Sequence, residues 1–351
     1  MKLLHIIASL EIGGAQRLLS DLIPIQKKQG LTVNLLVNFK VENNFAKKIT
    51  DAGVEIISLD EYNLYKLSNV LKIRKIIKHY DVVHVHLFPS IYWVAIAAVG
   101  LNVKLVYTEH STTNKRRDKV FFRPIEKFIY KRYDRIISIS EQTQLTLQKW
   151  LCCYDNRFVV INNGVDVESF SKVKSEVSPK SLIMISRFVP SKNQETVIRA
   201  LKLLDSDVIL RLVGDGENLE NCKLLAKQEG VENRVLFLGK CANVVELISE
   251  SYIGIQSSNW EGFGLTAVEL MAAGKPVVVS DVDGLKQVVD GAGLIFKRGN
   301  ERDLAKCIRS LLENQSYYNF VSQKCKERAS LYDITLMSDK YKYVYYELTK
   351  N

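Results

Sequence analysis

The chain has 351 residues, 47% hydrophobic and 25% charged, with 18 Gly and 6 Pro; this is ordinary globular composition for two or three domains and excludes collagen-like or low-complexity character. Its formal charge of +10 is uneven: residues 1–170 carry 24 Lys and Arg against 16 Asp and Glu, the remainder 25 against 23. A basic first half suggests an anionic partner, whether membrane surface, nucleic acid or phosphorylated substrate.

The chain opens MKLLHIIASLEIGG, where Glu11 and Arg17 follow the apolar residues too soon for a signal peptide. The longest nearly apolar stretch, residues 91–103, is shorter than the ~20 residues a membrane helix needs. A cytoplasmic location is expected. The Cys residues show no Cys-x-x-Cys spacing and form no zinc-type pattern with the His residues, so they are expected to be reduced, small apolar side chains.

Short β-branched runs then alternate with amphipathic helical segments. Strands are predicted at 2–8, 32–38, 54–58, 81–87, 104–108, 135–139 and 157–161, with helices such as 15–29 and 65–79 among them. Leu18, Leu22 and Ile25 recur at helical spacing, as a core-facing helix requires. The pattern stops at Asn163-Gly164-Val165-Asp166 and a polar stretch, 171–180, reads as linker. It restarts with strands at 182–186, 208–213, 235–238, 253–256, 277–280 and 294–296. Strands apolar on both faces and separated by helices imply an α/β protein: two doubly wound Rossmann-like domains facing each other across a cleft. The expected division is 1–165, a linker 166–180, 181–330, and a Tyr-rich helix at 331–351 that packs back on the first domain.

Residues 258–284, SNWEGFGLTAVELMAAGKPVVVSDVDG, carry the most chemistry. A Gly-rich turn, Glu261-Gly262-Phe263-Gly264, leads from a strand into a helix at 265–273. Gly262 and Gly264 allow close backbone approach, and free N–H groups at a helix start favour phosphate. Glu269 is the one charge between Gly262 and Gly274, a carboxylate suited to accept hydrogen bonds from a diol such as a ribose. An ordinary turn and a solvent-facing Glu are the competing reading. Gly13-Gly14 follows the first strand without a full Gly-x-Gly-x-x-Gly, which argues against a dehydrogenase; a ligand-free turn competes. His84 and His86 share one face of a strand. A metal site with His110 is conceivable, but no carboxylate stands at zinc-like spacing, and hydrogen-bonded structural histidines are expected. Residues 115–135 hold nine basic and three acidic residues interleaved with Phe121, Phe122, Phe128, Tyr130 and Tyr133. That composition suits an anionic membrane surface; a solvated helix with its aromatics in the core competes, and no nucleic-acid motif accompanies it.

Glu261 and Glu269 stand with seven residues between them in E-G-F-G-L-x-x-x-E-x-M-A-x-G-x-P-V-V. Together with Gly13-Gly14-Ala15-Gln16-Arg17, His84-Val85-His86, Glu109-His110, Asn163-Gly164-Val165-Asp166, Ser186-Arg187-Phe188, Lys192, Gly214-Asp215-Gly216 and Phe237-Leu238-Gly239, this string resembles the retaining GT-B glycosyltransferases of the family four, group 1 type. The resemblance covers nearly the whole chain. It implies a hexosyltransferase moving sugar from a nucleotide-sugar, UDP- or GDP-linked, to a glycan or polyprenyl-linked acceptor with retention, in bacterial surface polysaccharide assembly. Glu269 would bind the ribose hydroxyls. Gly262, Phe263, Gly264 and Leu265 would offer backbone N–H groups to sugar and diphosphate, and Gly13 and Gly14 would form a loop over the donor phosphate and acceptor. The catalytic group would be Glu261 on the donor sugar, His110 near the reacting carbon, and Arg187 and Lys192 neutralising the leaving diphosphate, so that no metal is required. Same-face attack, with the leaving phosphate helping to take the acceptor proton, follows from the family. Relatives acting on lipid-linked acceptors favour peripheral contact at the inner leaflet through 115–135. Leu270 and Ser186 stand where the family usually has Ala and Gly, and Gln16 and Gln287 where Glu is common. A GT-B nucleotide-sugar epimerase, whose acid–base carboxylates have no clear match, and a non-catalytic nucleotide-sugar-binding protein are the alternatives. Nucleic-acid binding ranks below both.

Overall fold

Every predicted strand is present within two residues of its expected ends, and all pair in parallel. The computed structural model describes residues 1–11, 13–112, 114–172, 180–241 and 244–350, so residues 173–179 of the predicted linker lie outside the described residues. Chain contacts divide it into two units: Met1–Gly164 with Ile334–Asn351, and Val165–Asp333.

The first unit holds β1 (Lys2–Ile6), β2 (Thr32–Val37), β3 (Ile56–Ser58), β4 (Val82–His86), β5 (Lys104–Glu109), β6 (Arg135–Ser138) and β7 (Phe158–Val160), in sheet order β3-β2-β1-β4-β5-β6-β7. Helices cover both faces, so β4 is buried throughout, as parallel strands of doubly wound sheets are. Alternation divides the core in two. Leu3, Ile7, Val82, Val106 and Ile137 pack under the helix Gly14–Lys28 and the helix Ile334–Thr349; Leu4, Ile6, Val83, Val85, Leu105 and Tyr107 pack on the opposite face. Leu18, Leu19, Leu22 and Ile23 anchor the first of those helices, each contributing roughly 1.5–3 kcal/mol of burial.

The second unit holds β8 (Ser181–Ile185), β9 (Ile209–Val213), β10 (Val235–Phe237), β11 (Ile253–Gln256), β12 (Val277–Ser280) and β13 (Leu294–Phe296), ordered β10-β9-β8-β11-β12-β13. In both sheets the chain reverses its direction of winding beside the first strand, between β1 and β4 and between β8 and β11. In such sheets ligands bind outside the carboxyl ends of the strands at this switch point. No described helix is long and apolar enough to cross a membrane.

Candidate functional site

In the second unit, the loops leaving the carboxyl ends of β8, β9, β10 and β11 are stitched together through their backbones. Phe188 N–H donates to the Asp215 carbonyl (2.9 Å), Gly214 N–H to the Gly239 carbonyl (2.8 Å) and Asn259 N–H to the Ser191 carbonyl (2.7 Å). Gly214 and Gly216 have φ of +136° and +151°, and a Cβ on either would overlap the carbonyl of Ser186 or Phe188. Only glycine fits there. Buried Gln194 donates to Ser186 Oγ (3.0 Å) and the Arg187 carbonyl (2.9 Å), which fixes the backbone of the loop while the Arg187 side chain is exposed.

Lys192 and Glu261 meet at this end of the sheet in an ion pair, their side chains 20% and 19% exposed. Ser258 Oγ also donates to Glu261, at 3.4 Å, and Ser257 Oγ donates to the carbonyls of Lys192 (3.0 Å) and Asn193 (2.8 Å), tying both partners' loops together. Gly284 lets the helix Asp283–Val289 sit directly on the 261–262 peptide, since a Cβ would overlap the Glu261 carbonyl.

Gly264, in the left-handed region at φ +90° and ψ 49°, caps the helix Leu265–Ala272. The first N–H groups of a helix have no partner within it and attract anions. Glu269 lies one turn further along, on the same face as Leu265, and is only 4% exposed among fully buried Val268, Leu270 and Met271. Phe263 is also buried and meets Tyr332 edge-on at 5.4 Å. Gly254 on β11 makes room for Leu270: a Cβ there would stand 2.6 Å from Leu270 Cδ1. The larger residue at 270 is thus accommodated by a glycine opposite it.

In the first unit a row of polar side chains ends the face covered by the helices Gly14–Lys28 and Ile334–Thr349. His5 pairs with His84 across β1 and β4, and His86 with Thr108 across β4 and β5, so alternation puts His5, His84, His86, Thr108 and His110 on one face. The rings are in hydrogen-bond contact: His5 Nε2 with Gln26 Oε1 (2.7 Å), His5 Nδ1 with His86 Nε2 (3.0 Å), and His86 Nδ1 with His110 Nε2 (3.0 Å). His84 contacts Tyr345 Oη (2.6 Å) and Thr108 Oγ1 (2.7 Å). Burial lowers the pKa of His5 and of His110 to about 4 and holds His84 and His86 well below 6.5, so all four rings are neutral near pH 7. Nitrogens of His5, His84 and His86 lie within 4.8 Å of one another. All six are already in hydrogen bonds, which makes the trio a satisfied network, not an open set of metal donors.

Gly13 caps the helix Gly14–Lys28 with extended backbone (φ −173°), where a Cβ would overlap only the flexible end of the Gln16 side chain, and a Cβ on Gly14 would meet nothing within 4 Å. Neither glycine is required by the fold around it.

Residues 115–135 divide into a 3-10 turn, Lys115–Asp118, and a helix, Phe122–Tyr130. Sequence reasoning did not anticipate that two of its arginines turn inward. Arg117 donates to Glu109 (2.6 Å), which Tyr130 Oη also reaches (2.9 Å), and Arg116 donates to fully buried Glu126 (3.0 Å). Burial works against the charge, yet Glu109 beside it holds the Arg117 guanidinium protonated above its ordinary range. Tyr130 and Tyr133 belong to the core, whereas Val120, Phe121, Ile125 and Phe128 are exposed beside Lys119, Lys127, Lys131 and Arg132. The aromatic residues thus serve both competing readings, some in the core and some on the surface.

The structure therefore brings Arg187, Lys192, Glu261, Gly262, Phe263, Gly264, Leu265 and Glu269 to one end of the second sheet, and Gly13, Gly14 and His110 to the corresponding end of the first. Gln194, Ser257, Gln26 and His5 escaped sequence reasoning; the equal spacing of polar residues on neighbouring strands is the signal that could have found His5.

Comparison with known proteins gives two family matches. The family described as Glycosyltransferase Family 4 matches residues 12–169, and that described as Glycosyl transferases group 1 matches residues 166–329. The chain is 27% identical to N-acetyl-alpha-D-glucosaminyl L-malate synthase of Bacillus anthracis, over 86% of this chain and 84% of that one. It is 26% identical to UDP-Gal:alpha-D-GlcNAc-diphosphoundecaprenol alpha-1,3-galactosyltransferase of Escherichia coli, over 83% and 81%. Among solved structures, Anabaena HepE in complex with UDP has the same fold, with TM-score 0.85 and 22% identity over 98% of this chain and 99% of that one.

Proposed function

Because the chain belongs to the glycosyltransferases of the family 4, group 1 type, we propose that it moves a hexosyl group from a UDP- or GDP-linked sugar to a glycan or polyprenyl-linked acceptor, with retention at the anomeric carbon. The observation that carries this reading is the Lys192–Glu261 pair beside the glycine-capped helix that bears buried Glu269, all at the switch point of the second sheet. The names of two similar proteins support the chemistry: one is complexed with UDP, the other specifies a UDP-sugar and a diphosphoundecaprenol acceptor.

In this reading Glu269 accepts hydrogen bonds from the ribose hydroxyls, a task for a buried acceptor-only carboxylate. The N–H groups at Gly262, Phe263, Gly264 and Leu265 hold the sugar and diphosphate, and Glu261 binds sugar hydroxyls. Departure of the nucleoside diphosphate builds negative charge, which Lys192 and Arg187 stabilise as preplaced cations without a metal. His110 faces the sugar near the reacting carbon, and Gly13-Gly14 leave room for close approach of donor phosphate and acceptor. No side chain is assigned as covalent nucleophile; the acceptor attacks from the face the diphosphate leaves, and its proton passes to that phosphate.

The patch of Val120, Phe121, Ile125 and Phe128 with four exposed cations supports docking on an anionic membrane surface, where polyprenyl-linked acceptors reside. The location proposed is the inner leaflet.

Calorimetric titration of UDP, GDP and ADP into the protein and its Glu269→Ala variant tests the donor site. One nucleotide should bind, and the variant should bind it roughly 10- to 100-fold more weakly, the range for hydrogen bonds to a charged group. A folded protein that binds none of the three overturns the reading. Binding without turnover of any matching nucleotide-sugar identifies a non-catalytic binder, and inversion in the product's NMR spectrum removes the same-face mechanism.

A further inference from the structure

Gln26, His5, His86 and His110 form a single file of hydrogen bonds from the core of the first unit to its candidate site. A neutral imidazole has one N–H and one lone pair, so each ring that donates through one nitrogen must accept through the other. The Gln26 amide oxygen can only accept. His5 therefore donates from Nε2 to Gln26 and accepts at Nδ1; His86 donates from Nε2 to His5 and accepts at Nδ1; His110 donates from Nε2 to His86. That leaves a lone pair on His110 Nδ1, which makes no hydrogen bond among the described residues.

We propose that Gln26, His5 and His86 are positioning residues that lock His110 in its Nε2–H tautomer, so that His110 presents Nδ1 to the ligand as a hydrogen-bond acceptor. The partner it selects is a hydroxyl or amide N–H, not a phosphate oxygen, which has no proton to give. That this hydroxyl belongs to a sugar rests on the proposed function; the tautomer does not. Neutrality is supported by the lowered pKa values of all three imidazoles. A neutral acceptor cannot protonate a leaving group, so His110 binds and orients the ligand.

Nitrogen-15 NMR of histidine-labelled protein reads the tautomer of each ring from its nitrogen shifts and its couplings to ring protons, without donor or turnover. The His110 resonances are assigned by their loss in His110→Gln. In the unsubstituted protein, proton on Nε2 and lone pair on Nδ1 are expected. Gln26→Met and His5→Phe cut the file and should shift His110 toward Nδ1–H or a mixture. Thr108→Val, which removes a partner of His84 and Tyr341 outside the file, should leave it unchanged. Protonation on Nδ1 in the unsubstituted protein means the Gln26 amide is reversed and His110 is a donor, and overturns the proposal. So does a His110 tautomer indifferent to Gln26→Met and His5→Phe. Should those variants fail to fold, the spectrum of the unsubstituted protein still decides. Nucleotide titration reports separately on the transferase reading, so failure of one leaves the other standing.

Discussion

Lys192 and Glu261, 69 residues apart in sequence, neutralise each other at the end of the second sheet, each about four-fifths buried. The pair does more than balance charge. Ser257 ties Lys192's backbone to β11's own exit loop, so ammonium and carboxylate are held in place before any ligand arrives. A preplaced cation costs no reorganisation when a diphosphate leaves, and a carboxylate beside it keeps the cation from straying.

Replacing Lys192 with Ala should lower kcat about 10²–10³-fold, the usual cost of one preorganised electrostatic group, with nucleotide affinity changed much less. Steady-state kinetics with the donor found by calorimetry provides the check. An unchanged kcat would remove Lys192 from the reaction. Glu261→Gln, which cannot hold the ammonium by charge, should lose turnover as well.

Gly214→Ala should destabilise the second unit by about 2–4 kcal/mol, because its φ of +136° and the overlap with the Ser186 carbonyl act together. Gly291 also has positive φ (+71°) but open space around it, so Gly291→Ala should cost only about 1 kcal/mol. Thermal unfolding followed by Trp260 fluorescence distinguishes them. Equal losses would mean that close packing of the loops after β8 and β9 adds nothing.

Acid should weaken the first unit through its histidines. His5 has a pKa near 4 folded and 6.5 unfolded, so between these values the unfolded chain binds more protons and stability falls with falling pH. The full contribution is present above pH 6.5, is about 3 kcal/mol for His5, and is lost as pH falls to 4. Denaturant unfolding monitored by Trp93 and Trp150 in a Trp260→Phe background isolates this unit. His5→Phe should show a shallower loss between pH 6.5 and 4.5; a slope equal to that of the parent refutes the assignment.

On vesicles containing phosphatidylglycerol the protein should sediment with lipid, and less so as salt rises. Phe121→Ser combined with Phe128→Ser should release it while leaving nucleotide binding untouched. Equal binding to neutral phosphatidylcholine vesicles would show that the cations play no part, and no binding to either would sink the membrane reading.

The strands were legible because parallel strands buried on both faces read as short β-branched runs, and β11, β12 and β13 match their expected spans residue for residue. The Gly-rich turn before the helix Leu265–Ala272 was legible for a related reason: few sequences need glycine at a strand-to-helix junction. The file from Gln26 to His110 was not. Its members come from a helix, the strands β1 and β4 and the residue just after β5, whose adjacency depends on β4 lying beside β1, an order set by winding and not by local pattern. The inward turn of Arg116 and Arg117 was equally hidden, because the buried carboxylates that hold them, Glu126 and Glu109, look in sequence like ordinary surface acids.

Tyr341 and Tyr345 are fully buried members of the first unit's core, yet they lie beyond the whole of the second unit in sequence. On the ribosome, residues 165–333 emerge as a finished set while the first unit still lacks the helix that roofs His84. Synthesis therefore presents the first sheet with one apolar face only partly covered, by the helix Gly14–Lys28 without Ile334–Thr349, for the time taken to translate some 170 residues, and the second unit can close before the first.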